Sequence, residues 1–183
     1  MKFVSIVGTN ADWSYNRKLL QYMKEHFSSE AQIVIQEIVD IPLFNENYGE
    51  QVPSEVAKIV RTLDTADGVI IASPEYDHSI PAALKSVLEW LSFKEHPLKN
   101  KPVMIVGASY GPQGSSRAQA HLRQILDSPG LGAYVLPGNE FLLNGVKDAF
   151  DENDQLIDKQ TISFLEECFS NYVNYVQLIE QQK

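Results

Sequence analysis

Three segments hold the residues that could do chemistry. The first, Gly8-Thr9-Asn10-Ala11-Asp12-Trp13-Ser14-Tyr15-Asn16-Arg17, packs hydroxyls, amides and an arginine between an apolar run and the start of a helical pattern. Main-chain N–H groups at a helix start attract anions, and Thr9, Ser14 and Asn16 could add side-chain donors. Hydrogen bonds to a charged group are worth roughly 1.5–3 kcal/mol each, enough to hold a phosphate against a globally acidic protein. The plainer reading makes Ser14 a helix cap and the rest an ordinary loop. Neither a Gly-Lys-Ser/Thr ending nor a G-x-G-x-x-G is present.

The second segment, Ser73-Pro74-Glu75-Tyr76-Asp77-His78-Ser79-Ile80-Pro81, is stiffened by two prolines and sets an aromatic ring beside polar groups. Such a wall suits a flat heterocycle. Asp77 and His78 could pass a proton, although a lone Asp-His pair is more often a solvated turn. The third segment, Gly107 to Arg117, contains Ser109 within a literal G-x-S-x-G, the signature of a hydrolase nucleophile. Such enzymes place an acid and then a histidine after the serine. Here His121 is the sole later histidine, and no Asp or Glu lies between it and Ser109. A glycine-rich turn that lets main-chain N–H groups approach a ligand edge fits better.

Two other features carry less. Asp151-Glu152-Asn153-Asp154-Gln155 resembles the opening of a calcium loop, but Leu156 replaces the required glycine. Cys168 lies in an amphipathic stretch without a neighbouring histidine, which suits packing. His26, His78, His96 and His121 are scattered and offer no metal-ligand spacing, so no metal is expected.

The elements that must position these loops alternate between two periodicities. Phe3–Val7, Ile33–Ile38, Val69–Ala72, Pro102–Ala108 and a weaker Tyr134–Leu136 read as buried strands. Helical spacing marks Arg17–Phe27, the stretch holding Val56, Ile59, Val60 and Leu63, and the stretch through Leu84, Val87, Leu88 and Leu91. It recurs through Leu122, Ile125 and Leu126, and then from Ile162 to Val176. Ser79 reads as a helix cap with Pro81 in the first turn. Asp40 to Gly49 is a loop. Strand–helix alternation implies a parallel sheet covered on both faces, a three-layer α/β domain spanning residues 1–183. Ligands of such sheets gather beyond the carboxyl ends of the strands, where strand order reverses.

Composition narrows the partners. The 183 residues carry 15 Lys and Arg against 24 Asp and Glu, a net charge of −9, which argues against nucleic acid or an anionic membrane. One cysteine and no apolar run of membrane-spanning length suggest a cytoplasmic protein.

Together the three loops resemble the NADPH-dependent FMN reductase family, flavodoxin-like proteins that include quinone, chromate and azo-dye reductases. Ser73 to Lys85, followed by Glu89-Trp90-Leu91, is similar to the family's S-P-E-Y-N-x-S-[IV]-P-[GA]-x-L-K-N-x-[LI]-D-W-[LA]. Gly8 to Arg17 is similar to its G-S-x-R-x-x-S-x-N-R phosphate loop, and Ser109 to Gly114 with Arg117 to its third, flavin-contacting loop. The resemblance implies a five-stranded parallel sheet of order 2-1-3-4-5 and bound FMN, with NADPH or NADH as co-substrate. It implies that Thr9, Ser14 and Asn16, with Tyr15 beside them, hold the phosphate. Pro74, Glu75, Tyr76 and Asp77 would line the isoalloxazine, and Ser109, Gly111 and Gly114 would lie along its other edge or the ribityl chain. The expected activity is ping-pong hydride transfer to a small flavin, quinone or azo-type acceptor, by a homodimer or homotetramer, with the flavin and no side chain carrying the chemistry. The alternatives are an acidic electron carrier without direct NAD(P)H activity and a flavin-free regulatory descendant. Two positions depart from the family: Ala11 stands where it has an arginine, and Asp77 where it has an asparagine.

Overall fold

A computed structural model describes residues 1–49 and 51–182; Glu50, just after the expected loop, and Lys183, the last residue of the expected domain, lie outside the described residues. Among the described residues six strands, β1 (Lys2–Val7), β2 (Gln32–Gln36), β3 (Gly68–Ala72), β4 (Pro102–Ala108), β5 (Tyr134–Val135) and β6 (Phe141–Leu143), form one sheet. Five α-helices among the described residues cover it: α1 (Tyr15–His26), α2 (Ser54–Asp64), α3 (Ala82–Phe93), α4 (Ser116–Leu126) and α5 (Lys159–Glu180). Every strand pairing is parallel, and the order is β2-β1-β3-β4-β5, as expected.

The continuous apolar strands are explained by burial on both faces. Phe3, Val7, Ile70, Met104 and Val106 pack against α1 and α5, including Leu19, Leu20, Phe169 and Tyr172. Val4, Ile6, Val69, Ile71, Val103 and Ile105 pack against α2, α3 and α4, including Leu63, Leu88 and Leu122. Neighbouring side chains of each strand thus feed opposite cores, as the two-residue pleat requires.

The weak fifth strand differs from the expected Tyr134–Leu136. It is broken in two: β5 pairs with Pro102 and Val103 at the base of β4, and β6 pairs with Val106, Gly107 and Ala108 at its top. Between them lie Pro137, which has no N–H to donate, and Gly138 at φ +64°. Arg123 of α4 bridges the break, donating to the carbonyls of Leu136 and Asn139 at 2.8 Å each.

The start of α3 differs as well. Ser79 does not cap it; Pro81 occupies the cap position without a side-chain bond, and the helix begins at Ala82. Ser79 instead closes a two-residue hairpin with Tyr76 through two main-chain bonds of 3.0 Å. Asp77 and His78 form its tip in left-handed conformations, φ +49° and +63°, which short polar side chains tolerate better than most.

The sheet places its order reversal between β1 and β3. The loops after β1, β3 and β4 therefore end at one rim of the sheet, the rim at which such folds bind ligands.

Candidate functional site

The loop after β1 ends at Ser14, whose extended backbone and Oγ cap α1 by accepting the N–H groups of Asn16 (3.2 Å) and Arg17 (3.3 Å). Asn16 is buried, and its amide makes a two-way bond with the main chain of Ala108: Nδ2 donates to the carbonyl and Oδ1 accepts the N–H, each at 3.0 Å. This pair ties the first loop to the end of β4. It gives the Asn16 side chain a bracing role that the expected phosphate role did not include. Arg17 forks onto Glu37 and onto two loop carbonyls; hydrogen bonding to Glu37 raises its already high pKa further.

Thr9 lies buried beneath the loop, where its Oγ1 accepts the Ala11 N–H (3.2 Å) and meets the Tyr76 hydroxyl at 3.3 Å. The second loop is tied to the third by Glu75. Its carboxylate accepts the N–H groups of Arg117 and Ala118, and the Arg117 guanidinium, at 3.0, 3.3 and 3.2 Å. Glu75 thereby caps α4, a task that the local residue Ser115, left-handed at φ +74°, leaves undone.

Between these loops opens a cleft of about 220 Å³. Of the residues expected at the site, Ser14, Tyr15, Asn16, Pro74, Glu75, Tyr76 and Ser109 line it. Four do not. Thr9 supports Tyr76 from below, Asp77 sits at the hairpin tip beside a separate groove shared with His121, and Gly111 lies just past the wall. Gly114, at φ +56°, packs on β6, where an added Cβ would come within 2.9 Å of the Leu142 backbone. Four lining residues had not been singled out: Trp13, Ala108, Tyr110 and Val146. Trp13 and Tyr110 are large exposed aromatics in loops at strand ends, a signal legible in the sequence. Val146 belongs to a single 3₁₀ turn after β6, for which no pattern existed.

The cleft is aromatic. Tyr15 stands edge-on to Trp13 (4.3 Å between ring centres) and Tyr110 (5.4 Å) on one side, and the half-exposed Tyr76 faces from the other loop. The main chain at Gly111 is approachable, since an added Cβ would meet nothing nearer than Ser109 Oγ at 4.0 Å. An aromatic slot, an open main-chain edge and a helix N-terminus at one end fit a flat ring with an anionic tail.

The hydrolase reading has no support in this geometry. Ser109 Oγ accepts the Gly111 N–H at 3.3 Å, while His121 Nδ1 pairs with Ser79 Oγ at 3.0 Å. The Asp151 segment is a turn, with Asp151 Oδ1 accepting the N–H groups of Asn153 (2.8 Å) and Gln155 (2.9 Å).

Residues 1–148 match the NADPH-dependent FMN reductase family. The chain belongs to that family. The NADH:(hydroxy)cinnamate reductase subunit CrdA of Vibrio ruber is 52% identical over 98% of this chain and 89% of its own length. NADH-dependent flavin reductase subunit 2 of Lactobacillus johnsonii is 46% identical over 97% and 98%. Among solved structures, the flavoenzyme NAD(P)H:(acceptor) oxidoreductase FerB of Paracoccus denitrificans matches with a TM-score of 0.87 at 23% identity, covering 96% of this chain and 97% of its own. As an FMN reductase family member, the protein is a flavodoxin-like oxidoreductase whose chemistry uses FMN and NAD(P)H. No helix among the described residues is long and apolar enough to cross a membrane.

Proposed function

We propose that the aromatic cleft is the FMN site of an NAD(P)H reductase acting on flavin, quinone or azo-type acceptors. When bound, FMN would supply hydride chemistry, taking two electrons from NAD(P)H and passing them to an acceptor that follows in the same place. The chain's residues orient and polarise. Ser14 and the first turn of α1 receive the phosphate, Pro74 and Tyr76 form a wall, and the main chain around Ser109 and Gly111 faces the ring edge. N–H groups directed at a ring edge stabilise negative charge as it develops there. The single observation that carries this reading is the convergence of the three loops at the order reversal, around a slot with aromatic walls and without a paired nucleophile and base.

The reading extends to one domain over residues 1–183, a homodimer or homotetramer by family resemblance, and a cytoplasmic location, where reduced nicotinamide is available. Purified protein should be yellow, and flavin removal should abolish NADPH-dependent menadione reduction. Colourless protein without FMN affinity would overturn the proposal.

A second reading is favoured by two relatives, 52% and 46% identical, each named as a subunit. Here the chain passes electrons to a protein partner, and the net charge of −9 suits a basic docking face. Negligible NAD(P)H oxidation with small acceptors, by flavin-loaded protein alone, would select it.

A further inference from the structure

The first loop lacks the arginine that its family carries at position 11, yet a guanidinium grips it from behind. Arg17 Nε and Nη2 donate to the two oxygens of Glu37 at 2.7 and 2.8 Å. Its Nη1 donates to the carbonyls of Ala11 (2.9 Å) and Asp12 (3.0 Å). Only a planar fork can serve a carboxylate on one edge and two carbonyls on another.

Glu37 directly follows β2, so the ion pair lies on the β2 flank of the loop. The cleft lies on the opposite flank, towards the loops after β3 and β4. The described peptide bonds are all trans, and in a trans peptide the carbonyl and the following N–H point in opposite directions. Turning the Ala11 and Asp12 carbonyls to Arg17 therefore aims the N–H groups of Asp12 and Trp13 away from it, to the cleft side. Successive N–H groups presented on one side make an anion-binding concavity.

We propose that Arg17, held by Glu37, is a positioning residue that shapes the first loop to receive the phosphate monoester of FMN from the side opposite the anion, not as its counter-ion. This rests on the FMN reading above. Glu37 cancels the Arg17 charge, so the contribution is orientation of the loop's N–H donors. It also accounts for how a loop with Ala11 in place of the family's arginine would retain a phosphate site.

The two roles predict opposite effects of Glu37→Gln. Freeing a counter-ion would tighten FMN binding; loosening a positioning fork weakens it. The test titrates full-length protein, freed of flavin, with FMN and with riboflavin, following flavin fluorescence. Wild type should prefer FMN. Arg17→Met should weaken FMN about tenfold, the scale of one lost charge-assisted bond. Arg17→Lys should do nearly the same, because an ammonium cannot span Glu37 and both carbonyls. Glu37→Gln should weaken FMN about threefold, the scale of one ordinary hydrogen bond weakened and not of a charge-assisted bond lost. Riboflavin affinity should stay unchanged in all three. An unchanged FMN-to-riboflavin ratio in Arg17→Met or Arg17→Lys, or tighter FMN binding by Glu37→Gln, would overturn the inference alone. A wild type that binds neither flavin would overturn the FMN reading and this inference with it.

Discussion

The Glu75 carboxylate accepts the Arg117 main-chain N–H at 3.0 Å, so a residue of the loop after β3 caps the helix that follows β4. Its side chain is largely buried, which makes this bond harder to replace with water than an exposed cap. Glu75→Ala should cost about 1–2 kcal/mol and lower the thermal midpoint by about 3–6 °C at this chain length. Glu75→Gln keeps an acceptor and should lose less. Differential scanning calorimetry decides, and equal midpoints for wild type and Glu75→Ala would show the cap to be idle.

Ser14 and Asn16 are neighbours in the first loop but do different work. Ser14→Ala removes a cap and should cost about 1 kcal/mol, while weakening FMN binding about tenfold through the lost hydroxyl. Asn16→Ala strands the buried N–H and carbonyl of Ala108 and should cost about 2–4 kcal/mol. Urea unfolding should rank Asn16→Ala below Ser14→Ala; the reverse order would mean that water replaces the Asn16 bonds.

Gly111 and Gly114 separate packing from ligand approach. Gly114→Ala meets the Leu142 backbone and a left-handed φ, so it should destabilise by about 1–3 kcal/mol. Gly111→Ala has room in the protein and should change stability by less than about 0.5 kcal/mol. If a flavin edge lies against this turn, Gly111→Ala nevertheless weakens FMN binding several-fold. Unaltered FMN titration curves for Gly111→Ala would move the ligand elsewhere.

Alkaline pH should unfold the protein through its buried acids. Burial pushes the Cys168 thiol up to about 11 from an ordinary value near 9, and raises the Tyr172 phenol well above its ordinary range. The unfolded chain releases these protons first. Their contribution is therefore complete below about pH 9 and is lost as pH climbs towards 11, a difference on the order of 2 kcal/mol for the thiol. Urea midpoints at pH 8 and pH 10.5 measure it. Cys168→Ala should flatten part of the slope, and an identical slope would assign the loss to Tyr172 and other groups.

The strands, the helices and the parallel sheet were legible because each buried strand is a short apolar run and each helix a 3.6-residue pattern, whereas the strand order followed from the family resemblance. These are local signals with a global meaning. The three loops were legible for a related reason: polar and glycine-rich composition directly after an apolar run marks a strand end. Ser14, Tyr76 and Ser109 were found in this way, and the tertiary structure gathers them around one cleft.

Partnerships across sequence distance were not legible. Nothing in the composition of Asn16 tells that its amide closes on Ala108, or that Glu75 caps α4 from another loop. Arg17 is adjacent to the loop in sequence, but its grip on Ala11 and Asp12 exists because β2 delivers Glu37 beside it. The break between β5 and β6 turns on Arg123 reaching Leu136 and Asn139 from α4. Hydrophobic pattern sets which face each element buries, and so the architecture. Hydrogen-bond partners depend on where packed elements bring donors and acceptors, a long-range geometry that no local pattern encodes.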